Sequence, residues 1–109
     1  MAELLSGTLD LLILRVLNSG PLHGFGIGER IHVLSNEALL VEEGSLYPSL
    51  YRMENKGWLR SEWRITENKR RAKYYRLTAA GRRQLSESTD TWEIFVKAMT
   101  KILTAPQPA

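Results

Sequence analysis

One stretch of the chain, residues 44–59, carries polar side chains that could recognise a nucleic acid. Ser45, Ser49, Arg52 and Lys56 recur every three or four residues, which places them on one side of a helix. Small serines would let that helix approach the base edges in a DNA major groove, and arginine can grip guanine there. The same spacing is also typical of an ordinary solvated helix face.

The same stretch contains signals for both ends of this helix. Ser45 is a candidate N-cap, which would put Pro48 at the third helical position, where a missing N–H costs little. Gly57 suits the left-handed residue that follows a helix. Tyr47 and Tyr51 lie one turn apart beside the polar side, and Tyr47 is a further candidate groove contact, with packing inside the domain as its alternative role. Three apolar residues would form the buried side: Leu46, Leu50 and Met53.

The positive charge of the chain is concentrated in one segment. Residues 60–83 hold nine basic and two acidic side chains, a net charge of +7, whereas the whole chain carries +3. Such a patch favours a polyanionic partner. A solvated basic surface without a partner is the alternative interpretation.

Two alternating runs in this segment, residues 58–65 and 73–77, predict a β-hairpin. The polar sequence TENKRRA between them contains the turn-forming Asn68. We expect the basic residues of this tip to hold phosphates or to enter a minor groove. These residues are Lys69, Arg70, Arg71 and Lys73.

Two further helices precede these elements. The first is expected over residues 7–17 with Ser6 as its cap, and its apolar residues lie nearly all round, so it should occupy a central position. The second is expected from residue 23 or 24 to residue 34 or 35, with His23 capping or packing against it. Gly24, Gly26 and Gly28 are poor helix formers and suggest the close approach of a helix or a phosphate backbone.

The last helix is expected to run from a cap at Thr78 to about residue 103, roughly 37 Å at 1.5 Å per residue. That is longer than a small domain needs. A heptad-like seam runs along it and comprises Leu85, Ser88, Trp92, Phe95, Met99 and Ile102. We expect this seam to form a homodimer interface.

The same seam is a candidate effector site centred on Trp92. Two indoles, one from each chain, could enclose a planar aromatic molecule, because offset stacking favours flat guests. Phe95, Val96 and Met99 would supply the apolar walls. Simple packing of the dimer is the alternative role for Trp92.

Together these elements predict a mostly α (α+β) fold, a winged helix-turn-helix with a two-stranded β wing and a long C-terminal dimerisation helix. We expect a winged-helix DNA-binding domain over residues 1–77 and the dimerisation helix over residues 78–104. A disordered tail is expected over residues 105–109.

The composition argues against several other classes of protein. The chain has no cysteine, so disulfides and thiolate metal sites are excluded, and its two histidines, His23 and His32, lack the company of further metal ligands. No nucleophile, base and orienting group occur together, so we expect neither a cofactor nor enzyme activity. No apolar run could span a bilayer and the amino terminus lacks a signal-peptide pattern, so a cytoplasmic location is expected.

Five motifs lie in order along nearly the whole chain: Gly7-Thr8-Leu9, Leu22-His23-Gly24-Phe25, Gly44-Ser45-Leu46-Tyr47-Pro48-Ser49-Leu50 with Glu54, Gly57-Trp58-Leu59, and Tyr75-Arg76-Leu77-Thr78 with Gly81. Their sequences and order resemble those of the PadR family of bacterial transcriptional regulators. The chain departs from the family pattern at Phe25 and Ser45, where tyrosine and threonine are common, and in a wing tip without glycine. The single C-terminal helix resembles the short members.

The resemblance implies a homodimeric repressor whose third helix and wing bind double-stranded DNA. Some short members bind planar aromatic compounds between their subunits, which agrees with the candidate site at Trp92. The main alternative is a winged-helix protein-interaction module that has lost DNA binding, although such a module has no need of the cationic tip. Double-stranded RNA is a weaker alternative, because its major groove is too narrow for a helix.

Overall fold

A computed structural model describes residues 7–108 of the chain. Within these residues the elements are α1 (Thr8–Leu17), β1 (Leu22–His23), α2 (Gly24–Leu34), α3 (Glu43–Asn55), β2 (Leu59–Ile65), β3 (Arg71–Leu77) and α4 (Ala79–Thr104). The predicted α+β winged helix with a long C-terminal helix is confirmed.

Helix α1 occupies the centre of the domain, as its apolar residues predicted. It packs against α2, α3, β3 and α4. Its buried side chains are Leu9, Ile13, Leu14, Val16 and Leu17, whereas Leu11 and Leu12 are only partly buried. The predicted cap Ser6 lies outside the described residues, and Gly7 takes the N-cap position with a φ of 84°.

Helix α2 begins where the sequence predicted and is capped by His23. The Nδ1 atom of His23 accepts a hydrogen bond from the Gly26 N–H at 3.0 Å. A Cβ atom at Gly24 would lie 2.5 Å from the Tyr47 hydroxyl. Glycine at this position therefore allows the close approach of an α3 side chain, one of the two reasons that we considered for the glycines of this helix.

Helix α3 begins earlier than predicted. Glu42, not Ser45, is the N-cap residue, and its carbonyl accepts the N–H of Leu46 at 2.9 Å. Pro48 therefore lies inside the helix and deprives the Gly44 carbonyl of its helical donor. Because Gly44 is exposed, water can satisfy that carbonyl.

The end of α3 agrees with the prediction. Gly57 has a φ of 79°, and its N–H donates to the Glu54 carbonyl at 3.0 Å. The N–H of Trp58 donates to the Met53 carbonyl at 3.1 Å. These two bonds form a Schellman motif, which requires a left-handed residue at Gly57.

The sheet has three antiparallel strands in the order β1-β3-β2, so the two-stranded prediction was incomplete. The additional strand, β1, pairs Leu22 with Tyr75 and His23 with Tyr74. Two residues carry too short an alternating pattern to indicate a strand, and only pairing with β3 defines it. The β3 strand also begins two residues earlier than expected, so that Arg71 belongs to the strand and not to the tip.

We call the hairpin formed by β2 and β3 the wing. Its tip is a tight turn over residues 66–70. The Thr66 N–H donates to the Arg70 carbonyl at 2.7 Å, and the Lys69 N–H donates to the Thr66 carbonyl at 2.9 Å. Lys69 adopts a φ of 60°, a conformation that glycine or asparagine usually supplies. The wing therefore forms without the glycine of related sequences.

Helix α4 begins at the predicted cap. The Thr78 hydroxyl accepts a hydrogen bond from the Gly81 N–H at 3.0 Å. The helix gives the molecule an elongated shape of 64 × 29 × 21 Å. Among the described residues, neither this helix nor any other is long and apolar enough to cross a membrane.

Candidate nucleic-acid interface

The buried side of α3 is the one that the sequence predicted. Leu46, Leu50 and Met53 are all buried in the core that α1 and α2 complete. Ser49 is buried as well, with 7 % of its surface exposed. Its predicted role as a groove contact is therefore wrong, because Ser49 lies one turn before Met53, at the edge of the buried side.

A further set of α3 residues faces solvent on the side opposite the buried one. Gly44, Pro48, Tyr51 and Asn55 are exposed and follow one another at intervals of four, three and four, which places them on one side of the helix. We call these four residues the exposed stripe. Tyr51 was not among the residues that the sequence predicted to contact DNA. Because the exposed stripe lies opposite Leu46 and Leu50, the spacing of these leucines could have identified it.

Arg52, the residue that the sequence favoured for a base contact, is paired within the chain. Its Nη2 atom donates to both carboxylate oxygens of Asp10, at 2.6 and 2.7 Å. This ion pair joins α3 to the first turn of α1 and leaves the arginine half-exposed. With Nη2 committed to Asp10, Arg52 could offer DNA only its remaining N–H groups unless it exchanged the carboxylate for a DNA acceptor.

The remaining predicted residues of α3 lie on the flanks of the helix. Ser45 is exposed. Lys56 lies over the Trp58 ring, with its Nζ 4.6 Å from the ring centroid. Tyr47 is partly exposed and packs over Gly24, so the structure combines the two roles that we considered for it, packing and an accessible surface.

The four cations of the wing divide into two pairs. Lys69 and Arg70, at the tip, are exposed, and their charged side chains have no partner among residues 7–108. Arg71 lies 4.8 Å above the Trp63 ring, and the Lys73 Nζ lies 3.5 Å from Glu54 of α3. The tip pair is therefore available to an anion, whereas the other two cations also hold the wing in place.

Glu54 connects α3 to the wing. Its carboxylate accepts a hydrogen bond from the Ser61 hydroxyl of β2 at 2.5 Å and pairs with Lys73 of β3. Nearby, burial and then the Glu54 charge raise the pKa of Tyr75, so this phenol stays neutral at physiological pH. Sequence reasoning missed this network because its members lie on three elements.

A cleft of about 600 Å³ separates the wing from the start of α2 and from α3. Aromatic and cationic side chains alternate around it and include Phe25, Tyr47, Trp63, Arg70, Arg71 and Lys73. The cleft places one flank of α3 and the wing on the same side of the molecule. An aromatic and cationic lining is suited to a sugar–phosphate backbone.

The predicted seam of α4 is accessible in the single chain. Trp92, Phe95, Met99 and Ile102 are exposed, together with Val96, while Leu85 packs against the core. A groove of about 540 Å³ lies between the start of α1 and this part of α4. Of the predicted effector residues, Trp92 and Phe95 line it beside Ser88, with ring centroids 5.8 Å apart, while Val96 and Met99 lie outside its lining.

Three helices around a small antiparallel sheet, a projecting hairpin and a long final helix define a winged helix-turn-helix protein. Comparison with known families identifies the family of winged helix-turn-helix proteins to which the chain belongs. The model of the family described as "Transcriptional regulator PadR-like family" matches residues 13–87. The chain belongs to this family, whose members are transcriptional regulators and not enzymes.

Individual relatives agree with this assignment. The transcriptional regulator Rv3488 of Mycobacterium tuberculosis (strain ATCC 25618 / H37Rv) is 36 % identical over 87 residues, which are 80 % of this chain and 78 % of that protein. A PadR family transcriptional regulator from Eggerthella lenta DSM 2243 is 33 % identical with a TM-score of 0.76, covering 92 % of this chain and 85 % of the other. A PadR family transcription regulator from Clostridium difficile R20291 is 29 % identical with a TM-score of 0.76, covering 89 % and 99 %.

Proposed function

We propose that the protein is a homodimeric repressor that binds a near-palindromic operator through α3 and the wing, and that it acts in the cytoplasm. The observation that carries this proposal is the shared cleft, bordered by Tyr47 of α3 and Arg70 of the wing tip. A helix with an exposed side can enter a major groove while the tip cations contact the adjacent backbone. In this proposal, residues 1–77 are the DNA-binding domain and residues 78–104 are the dimerisation helix.

The dimer is supported by the apolar surface of α4. Six exposed apolar side chains on one side of a single helix are more than an isolated domain requires, and a second copy would bury them. In a two-fold dimer, the recognition helices would meet half-sites about 34 Å apart, or a multiple of that distance.

The alternative is a protein-interaction module without DNA binding. It is disfavoured by Lys69 and Arg70, whose charges no side chain of the described residues neutralises. A gel-shift titration against salt separates the two functions, because counterion release gives DNA binding a steep salt dependence. Duplexes selected from a random library with the full chain would serve as probes.

The double variant Lys69→Ala/Arg70→Ala tests the wing. If each cation neutralises one phosphate, the slope of log K against log salt should become shallower by about 2, with affinity lowered for all sequences. Fluorescence anisotropy at four salt concentrations would measure the slope.

The matched control is Lys97→Ala/Lys101→Ala, which removes the same charge from exposed positions on the far half of α4. It should leave the slope nearly unchanged. An unchanged slope in the wing variant would exclude the tip from the interface.

We also propose that the seam accepts a planar aromatic effector beside Trp92. The groove between α1 and α4 supports this site, because Trp92 and Phe95 form one wall and Ser88 supplies a hydroxyl. In the dimer, Val96 and Met99 of the two chains would close the site around the guest. Such an effector could release DNA only by preferring one arrangement of the two recognition helices over another.

The effector site is tested with Trp92 as the sole indole. In a Trp58→Phe/Trp63→Phe background, planar aromatic dyes should quench the remaining fluorescence, because the guest stacks on the indole. Trp92→Ala should abolish dye binding, monitored through the dye, while sedimentation still reports a dimer. Dye binding of equal strength in the Trp92→Ala protein would contradict the site.

A further inference from the structure

The inference concerns which residues of α3 read base pairs, and it rests on the proposed DNA-binding function. Three sides of α3 are occupied by intramolecular contacts. One packs in the core through Leu46, Leu50 and Met53. A second faces the wing: Tyr47 lines the cleft, and Glu54 binds Ser61 and Lys73.

The third side faces α1. Arg52 holds Asp10 through two hydrogen bonds, and this side therefore already has its partner. What remains is the exposed stripe, bounded by the wing flank and the α1 flank. A recognition helix can present to a groove only the side that its own domain leaves uncovered.

The chemistry of the stripe is specific. Gly44 and Pro48 offer no long side chain, so this half of the helix can approach the floor of a groove closely. Tyr51 is 70 % exposed and presents an apolar ring on the next turn. Asn55 is exposed at the end of α3, and neither its amide nor the Tyr51 hydroxyl has a hydrogen-bond partner within residues 7–108.

These groups match the major-groove edge of adenine–thymine pairs. Apolar side chains contact the thymine C5-methyl group, and an asparagine amide can donate to N7 and accept from N6 of adenine. The guanine edge offers two acceptors and is best read by arginine or lysine, but the arginine of α3 is held by Asp10.

We infer that Tyr51 and Asn55 are the specificity-determining residues of α3, with Tyr51 contacting a thymine methyl group and Asn55 reading an adenine. Arg52 is then a positioning residue that joins α3 to α1. This assignment replaces the residues that the sequence predicted, Ser45, Ser49, Arg52 and Lys56, with residues of the exposed stripe, which the packing of α3 leaves accessible.

The test uses the full-length chain and a duplex selected by it from a random library. Affinity is measured for this duplex, for a copy with deoxyuridine in place of thymidine, for a copy with 7-deazaadenine in place of adenine, and for an unselected duplex. Deoxyuridine lacks only the methyl group, and 7-deazaadenine lacks only the N7 acceptor. Each replacement should weaken wild-type binding roughly tenfold.

The variants assign each loss to a residue. The affinity of the Tyr51→Ala protein should no longer depend on the thymine methyl group, and that of the Asn55→Ala protein should no longer depend on adenine N7. Both variants should bind the unselected duplex as tightly as the wild type does. Tyr51→Phe keeps the ring and should keep the methyl sensitivity. Arg52→Ala is the matched control from the neighbouring flank and should retain both sensitivities.

Two results would overturn the inference, and they are distinguishable. In the first result, a duplex is enriched, but the wild type binds the base-replaced copies as tightly as the original, or the variants lose affinity for every duplex equally. The protein then binds DNA, but the stripe does not read bases. If no duplex is enriched over the random pool, sequence-specific DNA binding fails and the inference fails with it.

Discussion

Replacing Met99 with glutamate is expected to convert the protein from a dimer into a monomer. Met99 lies in the seam one heptad after Trp92, where a second α4 would bury it. A carboxylate placed in such an interface without a partner costs several kcal/mol, enough to dissociate a small dimer. Analytical ultracentrifugation at micromolar concentration would measure the change.

The loss of the dimer should have a large effect on operator binding. Two linked binding units gain roughly 10²- to 10⁴-fold over one, because the second half-site is bound at a high effective concentration. The Met99→Glu protein should lose that factor on a two-half-site duplex, with little change in its affinity for a single half-site.

Ile94→Glu is the matched control for this experiment. Ile94 is also an exposed apolar residue of α4, but it lies two residues from Trp92 and therefore on another side of the helix. The same substitution there should leave the dimer intact. Dissociation of both variants would mean that the whole helix, and not the seam, governs assembly. A Met99→Glu protein that remains dimeric would contradict the prediction that the seam forms the dimer interface.

Replacing Gly81 with alanine is expected to lower the free energy of unfolding strongly, although it adds only one methyl group. The added Cβ would lie well within 3.0 Å of the Trp58 carbonyl oxygen, closer than real Cβ atoms approach a neighbour. That oxygen is backbone and accepts the Thr78 N–H at 3.0 Å, so it cannot yield without disturbing the junction of β3 and α4.

The energetic balance of this substitution can be estimated from its parts. Alanine in place of glycine favours a helix by about 1 kcal/mol, whereas overpacking against a fixed backbone costs about 3 kcal/mol or more. A net loss of about 2 kcal/mol or more lowers the midpoint of thermal unfolding by roughly 10 °C. Circular dichroism at one fixed protein concentration would measure it, since the proposed dimerisation would make the midpoint concentration-dependent.

Gly44→Ala provides the control. Gly44 is also helical, but a Cβ there would meet nothing within 4 Å. That protein should be as stable as the wild type or slightly more stable. Equal midpoints for the two variants would show that the α4 junction adjusts to a side chain at Gly81.

The features that the sequence determined are those encoded by neighbouring residues. The buried side of α3 follows from the spacing of Leu46, Leu50 and Met53, and the helix ends follow from local hydrogen bonds at His23, Gly57 and Thr78. The seam of α4 follows from a repeat within one helix. Each pattern is complete within a few turns of chain, so it can be recognised without knowing what packs against it.

Tertiary structure decided the features that depend on residues far apart in the chain. Asp10 and Arg52 are separated by 42 positions, and only the packing of α1 against α3 brings the carboxylate to the guanidinium. The β1 strand exists because β3 lies beside it. Ser49 is buried because the core covers its side of α3 as well as the leucines, whereas Tyr51 and Asn55 lie away from the core in solvent. A helix's sequence shows which residues share a side, but its neighbours decide which polar side remains free to bind.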